Sequence, residues 1–464
     1  MMRLAGTGLL MSQFTVACIT LSTCSPQKTG SPPKHLTPTP TPLASTPWEA
    51  ANSILGTTVV PTFPKRTFQL TDYGGNGHGT TDNTLAFQQA ITACNTMGGG
   101  VVEVPAGTYL TGAIHLLSNV NLHLDSGATL LFSKDASKYP IVLTRYEGIE
   151  CLNHSPMIYA YGQSNIALTG NGFLDAGGTA DWNKGSNRGG VLDPLIASGV
   201  PPQERNVAGK LRASFVEPYN CKNVLIQGVT LRNSQFWQIH PTLCTNVTID
   251  GVTSSASGPN TDNCNPESCD HVVIKNNTFK AGDDNIAIKA GRDADGRRIN
   301  VPSQNIVIWN NQFEGPVGAI TLGSEQTGGI QNVYAYANAT MGSGTGYAVF
   351  IKANMQRGGF VRNVNVDTFT GAGLSNSVVH FTLTYNSTTI YGDYPPNFSG
   401  PFNFNNIVVD NAPWVLDLEG LPNDQIGDCI LTNSTFTNIQ HANDKIENVR
   451  KVIRTNVKIN GAFV

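Results

Sequence analysis

The feature that most constrains this chain is a short phrase that keeps returning: an asparagine, or another polar residue, followed by alternating and often β-branched apolar residues. It reads Asn119-Val120-Asn121-Leu122, Asn165-Ile166-Ala167-Leu168, Asn223-Val224-Leu225-Ile226, Asn246-Val247-Thr248-Ile249, His271-Val272-Val273-Ile274, Asn305-Ile306-Val307-Ile308, and in shorter form Asn332-Val333 and Asn363-Val364. Successive starts are about 23 residues apart at their closest, Asn223 to Asn246, and about 58 at their widest, Asn165 to Asn223. Short strands at recurring intervals, without long helical patterns between them, predict an all-β solenoid in which each coil buries its apolar face only by stacking on its neighbours. Stacking also explains the asparagines, whose side chains can hydrogen-bond from coil to coil in a ladder at a corner. A flat β-sandwich is the alternative, and it gives no reason for an asparagine at the strand starts.

An open solenoid end exposes a strand edge, which natural proteins cover. Thr81 or Asp82 can cap a helix there, with Leu85, Ala86, Ala90, Ile91 and Cys94 as its apolar stripe and Gly98-Gly99-Gly100 as its stop. The spacing therefore predicts a short N-terminal capping helix. Gly74-Gly75-Asn76-Gly77-His78-Gly79 lacks the Gly-Lys-Ser/Thr of a phosphate loop and reads as a turn. Further upstream, Met1 to Arg3 and the apolar stretch through Leu21 resemble a bacterial export signal, too short to span a bilayer. Leu21-Ser22-Thr23-Cys24 resembles a lipoprotein cleavage box with an unusual Thr23, so a lipid anchor at Cys24 and ordinary cleavage are the two alternatives. Residues 25–47 hold Pro32, Pro33, Pro38, Pro40 and Pro42 among threonines, a composition of extended linker. The expected partition is a signal at 1–24, a linker at 25–47 and one β-helix domain at 48–464, secreted or otherwise extracytoplasmic.

With 13% charged residues and a net charge of −3 over 464 residues, neither a nucleic-acid-binding surface nor an acidic disordered tail is expected. Beyond Cys24, the cysteines Cys94, Cys151, Cys221, Cys244, Cys264, Cys269 and Cys429 are odd in number and lack Cys-x-x-Cys spacing, which argues against a zinc site. Cys264 and Cys269 either close a local disulfide or stack as small buried residues. No cofactor or metal ion is expected, and the chain is expected to be a monomer.

Chemistry concentrates in two short motifs, Asn260-Thr261-Asp262 and Gly282-Asp283-Asp284, about one coil apart. That spacing predicts Asp262 and Asp283 at equivalent positions in successive coils, roughly 4.8 Å apart along the axis. Asp283 and Asp284 are adjacent, and in a regular strand one of them would point into the core at a cost of several kcal/mol. A bend at Gly282 would turn both outward. Three crowded carboxylates raise the pKa of at least one, and a glycosidase needs one carboxyl to protonate the leaving oxygen and another to activate water or attack the sugar. Solvated turn carboxylates or calcium ligands would share the spacing.

The words around these acids narrow the choice. Phe236-Trp237-Gln238-Ile239-His240-Pro241, Gly258-Pro259-Asn260-Thr261-Asp262, Pro266-Glu267-Ser268-Cys269, Gly282-Asp283-Asp284-Asn285-Ile286-Ala287-Ile288-Lys289 and Gly323-Ser324-Glu325 resemble the polygalacturonases, family 28 of the glycoside hydrolases. Val104 to Leu110 and Tyr146-Glu147-Gly148-Ile149-Glu150 extend the similarity over nearly all of the chain after the linker. The resemblance implies a right-handed parallel β-helix that cleaves α-glycosidic bonds of pectic polysaccharide by inversion. It further implies Asp283 as general acid, Asp262 and Asp284 as the pair that activates water, and Lys352 as the lysine that binds a galacturonate carboxylate. Asn260, Lys289, Arg292, Trp237 and His240 are candidate substrate contacts, and Arg297 and Arg298 are candidates for flanking uronates.

Two positions depart from the family. Pro316-Val317-Gly318 stands where polygalacturonases carry Gly-His-Gly, and Phe350-Ile351-Lys352 where they carry Arg-Ile-Lys. Val317 can neither hydrogen-bond nor titrate, and Phe350 replaces a bidentate clamp with an apolar ring. With all three acids retained, the expectation is a working hydrolase whose substrate contacts include Phe350 against a neutral or deoxy sugar, as in rhamnogalacturonan or a decorated galacturonan. A non-catalytic pectin-binding protein and a pectate-lyase-like enzyme share the fold and are the alternatives. The polar stretches Asp175–Val207 and Tyr385–Phe402 can wall the cleft into a pocket, which favours exo action.

Overall fold

The computed structural model describes residues 47–464, apart from 388, 389, 391 and 442. The expected export signal, Cys24 and nearly all of the linker lie outside the described residues.

Each recurrence of the asparagine-led phrase opens a strand of one long parallel sheet. Val120–Leu124, Ser164–Gly170, Lys222–Gln227, Thr245–Asp250, Asp270–Lys275, Ser303–Trp309, Ile330–Thr340 and Val361–Ala372 pair in that order, all parallel. Asn119, Asn165, Asn223, Asn246, His271, Asn305, Asn332 and Asn363 all have positive φ. Asparagine tolerates this left-handed corner better than any residue but glycine, because its short side chain hydrogen-bonds locally. The expected ladder is present: Nδ2 of Asn165, Asn223 and Asn246 donates to Oδ1 of the asparagine one coil back at 3.0, 2.8 and 2.9 Å. Asn332 and Asn363 continue it at 3.0 and 2.8 Å. His271 interrupts it, and Asn305 donates instead to Asp270 at 2.7 Å.

A second parallel sheet carries Ile286–Ile288, Gly318–Gly323, Tyr347–Lys352, Ser377–Thr382, Trp414–Glu419 and Lys445–Glu447. Isolated parallel bridges extend it backwards through Cys264, Ile239 and Val216. Their inward side chains form one buried column, Val216, Ile239, Cys264, Ile286, Ile320, Val349, Val379 and Leu416. Each large apolar member contributes about 1.5–3 kcal/mol. The fold is the right-handed parallel β-helix that the resemblance implied. No disulfide joins Cys264 to Cys269: all seven described cysteines are free and buried. Cys221, Cys244 and Cys269 stack coil on coil, with Cys221 N donating to Cys244 Sγ and Cys244 N to Cys269 Sγ.

Two helices flank the body. Helix α1 (Pro47–Thr57), not foreseen, packs Ala51 and Ile54 on Val307 and Tyr334 of the long sheet. Helix α2 (Thr84–Thr96) is the predicted cap, and Asp82 Oδ1 accepts its first N–H at 2.9 Å. Leu85, placed on its apolar stripe by spacing, is exposed, and Phe87 packs inward with Ala86, Ala90, Ile91 and Cys94. At the other end an antiparallel pairing of Lys458–Ile459 with Ala462–Phe463 closes the last coil. No described helix is long and apolar enough to cross a membrane.

Two excursions leave the coils on the side of the second sheet. One is an antiparallel hairpin, Ile141–Tyr146 with Ile149–His154. The other runs from Asp175 to Val216 and contains the short helices Arg188–Val191 and Asp193–Ala197. They share a small core of their own, where Tyr146, Ile149, Leu192, Val207 and Leu211 meet Phe236 and Trp237 of the solenoid. Tyr146 stacks on Phe236 at 4.7 Å, and Phe236 on Trp237 at 4.9 Å.

Candidate active site

Strand register fixes how the three acids sit. Cys264 bridges to Ile286, so Asp262 lies beside Asp284 in the adjacent coil, and Asn263 N donates to the Asp284 carbonyl at 3.2 Å. The stacked pair is therefore Asp262 and Asp284, about 4.8 Å apart along the axis, and not Asp262 and Asp283 as the sequence spacing predicted. Asp283 precedes the strand in the expected bend at Gly282. Any larger residue at 282 would run into the backbone of Gly258 and the Thr261 hydroxyl.

Each carboxylate has a different environment. Asp284 accepts from Gly318 N at 3.1 Å, Thr321 Oγ1 at 2.7 Å and Lys352 Nζ at 2.9 Å, a set of donors that suits an acceptor-only carboxylate. Gly318 permits this, because a Cβ there would collide with Thr321 and crowd Asp284. Asp262 is fully buried; Asn265 Nδ2 donates to its Oδ2 at 2.9 Å while Oδ1 has no partner. Burial pushes its carboxyl up, the Asp283 charge adds to the push, and Lys289 opposes both, leaving it at about 8. Asp283, half-buried, accepts from Asn260 N at 2.9 Å and Asp284 N at 3.0 Å. Burial and the Asp284 charge hold it above the ordinary value against the pull of Lys352. With Asp262 at about 8, the group of acids carries a proton at neutral pH.

These groups face a pocket of ≈ 350 Å³. Its floor includes Trp237, Lys289 and Lys352. Lys289 Nζ lies 3.0 Å from Glu325 Oε2, 3.7 Å from Asp262 Oδ2 and 4.5 Å above the Trp237 ring. Burial disfavours the charge of both lysines, but Glu325 and Asp262 hold Lys289, and Asp284 holds Lys352, above the usual lysine range. Glu325 answers in the opposite sense: burial would raise it, yet Lys289, Arg292 and Arg357 keep it well below the carboxylate range. The walls come from the predicted excursions. Ser186 to Gly189 close one side and Tyr385 with Asn386 another, while the hairpin tip inserts Glu147. Glu147 Oε2 accepts from Arg188 Nε at 3.1 Å and Arg292 Nη1 at 2.8 Å, which ties hairpin, insertion and solenoid together.

The structure brings together Asp262, Asp283, Asp284, Asn260, Lys289, Arg292, Trp237 and Lys352, and all line the pocket. It leaves out four predicted contacts. His240 is completely buried beneath the floor, 2.8 Å from Glu267 and 3.4 Å from Glu217, edge-on to Trp237 at 4.8 Å. Although burial lowers it, those two glutamates raise it to about 9, so it serves as a buried cation under Trp237. Phe350 is only 5% exposed, clustered with Tyr347 and His380, with Lys352 Nζ 4.6 Å over its ring. Its ring supports the lysine instead of presenting a face to sugar. Arg297 and Arg298 also lie away from the pocket, the first over Tyr394 and the second paired with Glu150 and Asp295. Sequence reasoning assigned no role to Glu147, Arg188, Glu325 or Arg357. A signal existed for two of them: Glu325 ends the family word Gly323-Ser324-Glu325, and Glu147 stands between Tyr146 and Gly148 in another, with φ of 46° at the hairpin tip.

The profile described as "Glycosyl hydrolases family 28" matches residues 94–386, more than half of the chain. The chain belongs to glycosyl hydrolase family 28. A Vitis vinifera protein named "Probable polygalacturonase" is 31% identical over 79% of this chain and 73% of its own length. The exo-poly-alpha-D-galacturonosidase of Dickeya chrysanthemi is 30% identical over 77% of this chain and 62% of its own. Among solved structures, a hyperthermoactive exopolygalacturonase from Thermotoga maritima superposes with a TM-score of 0.83 at 35% identity, covering 89% of this chain and 96% of that one. This family 28 protein is accordingly a glycoside hydrolase, and its three acids occupy the pocket that the second sheet and its excursions build.

Proposed function

We propose that this family 28 hydrolase removes single galacturonate units from the end of a galacturonan chain by inversion. The observation that carries this reading is a pocket closed on two sides by the 186–189 segment and Tyr385-Asn386, with all three acids at its base. A chain end enters such a pocket, whereas an interior segment needs an open groove. The names of the Dickeya and Thermotoga relatives point the same way. In this reading the half-buried Asp283, whose carboxyl burial and the Asp284 charge raise above its ordinary value, gives its proton to the leaving oxygen. Asp262 and Asp284, in register on adjacent coils, take up the attacking water between them once the proton that the crowded acids share sits on Asp283, which frees Asp262 to accept from the water. Lys352 orients Asp284 and supplies a point charge for a uronate. Because Phe350 is covered, the expected preference for a neutral sugar loses its support, and galacturonate becomes the favoured occupant. Export, with either a lipid anchor at Cys24 or ordinary cleavage, belongs to this reading as the route by which the enzyme reaches a pectic polymer.

The test is a reducing-sugar and product-profile assay of wild type and Asp283→Asn on polygalacturonan, rhamnogalacturonan and xylogalacturonan. Monogalacturonate from polygalacturonan with wild type alone is the expected result. Release from rhamnogalacturonan only, or binding without turnover on all three, would overturn it.

A further inference from the structure

The family's clamp position is occupied by Phe350, yet the pocket contains three arginines from other parts of the chain: Arg188, Arg292 and Arg357. Arg188 is engaged by Glu147 and Asp193. The other two are only partly committed. Arg357 follows the Lys352 strand, and an Asx turn in which Asn354 Oδ1 accepts from Arg357 N at 3.1 Å sets its backbone. Its Nη1 donates to both oxygens of Asp293 at 2.8 and 3.0 Å, while its Nε is buried and donates to no protein acceptor. Arg292 Nη1 reaches Glu147 and Glu325, and its Nε sits 3.5 Å from Asp293 Oδ2 outside hydrogen-bond geometry, again without an acceptor. Asp293 thus draws both guanidinium groups to one place. The side chains are 11% and 5% exposed, so an N–H group without a protein acceptor there carries a desolvation cost that an incoming acceptor relieves.

The lining charges are matched in number. The pocket holds five acids, Glu147, Asp262, Asp283, Asp284 and Glu325, against Arg188, Lys289, Arg292, Lys352 and Arg357. Asp193 and Asp293 offset part of the arginine charge from outside this lining, so the fit to an anion rests on the unpartnered N–H groups of Arg292 and Arg357. A planar fork matches a carboxylate bidentately where a lysine cannot.

We infer that Arg357, together with Arg292 across Asp293, is the receptor for the substrate carboxylate, in place of the clamp that Phe350 has displaced. The inference rests on the galacturonate reading above and assigns these residues a specificity role. The test compares kcat/KM for trigalacturonate and its methyl-esterified counterpart in wild type, Arg357→Gln and Arg357→Lys, with melting temperatures as a folding control. Wild type favours the free acid. Arg357→Gln lowers the acid-to-ester ratio about tenfold or more, and Arg357→Lys lowers it less, because a point charge survives without the fork. An unchanged ratio in Arg357→Gln would overturn the inference. If wild type hydrolyses neither substrate, the functional reading fails, and calorimetry with galacturonate and its methyl ester decides this point separately. Weaker galacturonate binding by Arg357→Gln than by wild type would then sustain the receptor, and equal binding would overturn it.

Discussion

Replacing Asp262 by asparagine should stabilise the protein at alkaline pH while abolishing its activity. Asp262 rises from 3.8 in the unfolded chain to about 8 in the fold, chiefly through burial and the Asp283 charge. Between about pH 4 and pH 8 the folded state holds a proton that the unfolded chain has released, so stability falls as pH rises through that window. Below it both states are protonated, and above it the penalty is constant. A shift of about four units at 1.36 kcal/mol each sets an upper bound near 6 kcal/mol. Loss of the Lys289 contact and water entering the pocket reduce this to about 2–3 kcal/mol. An isosteric asparagine keeps the volume and removes the titration. For a chain of this size about 1–2 °C per kcal/mol is expected, so Asp262→Asn should melt about 2–6 °C above wild type at pH 8.5, with the gap closing towards pH 4. The assay is scanning fluorimetry of both proteins across pH at one heating rate. A variant that is destabilised by the same amount at every pH would refute the reasoning.

Lys352→Met leaves the buried Asp284 without its cation and should reduce kcat/KM by about two orders of magnitude in steady-state assays on oligogalacturonate, with the fold intact by circular dichroism. Glu147→Ala and Arg188→Ala cut the tie that holds the pocket wall, and chromatography should then show oligomers beside the monomer; melting should shift by no more than about 1 kcal/mol equivalent, since the pair is partly exposed. Because all described cysteines are free, a reducing agent should leave the melting temperature of the enzyme unchanged.

How much of this was legible depends on whether a feature is local. The corner asparagines announced the coils, since positive φ and a ladder side chain are demanded at the same residue in every turn. The three acids were legible for a similar reason, as short motifs around a bend. Their stacking was not, because one residue of register separates Asp262 over Asp283 from Asp262 over Asp284, and only the Cys264 to Ile286 bridge decides it. His240 and Phe350 stand in motif words beside substrate-facing residues, yet one faces Glu217 and Glu267 and the other lies under Lys352. Neighbours in sequence did not report which side chain reaches solvent. Arg188 was invisible because it comes from an excursion whose path is set by long-range packing, such as Leu192 and Leu211 on Phe236 and Trp237, and Arg357 because it lies in the turn after the Lys352 strand, outside every motif word. Helix α1 was missed because it follows a proline-rich stretch directly and opens on Pro47, the last residue assigned to the linker.

The central claim is an inverting, end-acting hydrolase built on Asp262, Asp283 and Asp284, and proton NMR of trigalacturonate during turnover tests it most directly. The account predicts free galacturonate appearing first as the β-anomer, mutarotating later, with no signal from Asp283→Asn. First appearance of the α-anomer, or of an unsaturated product, would contradict it.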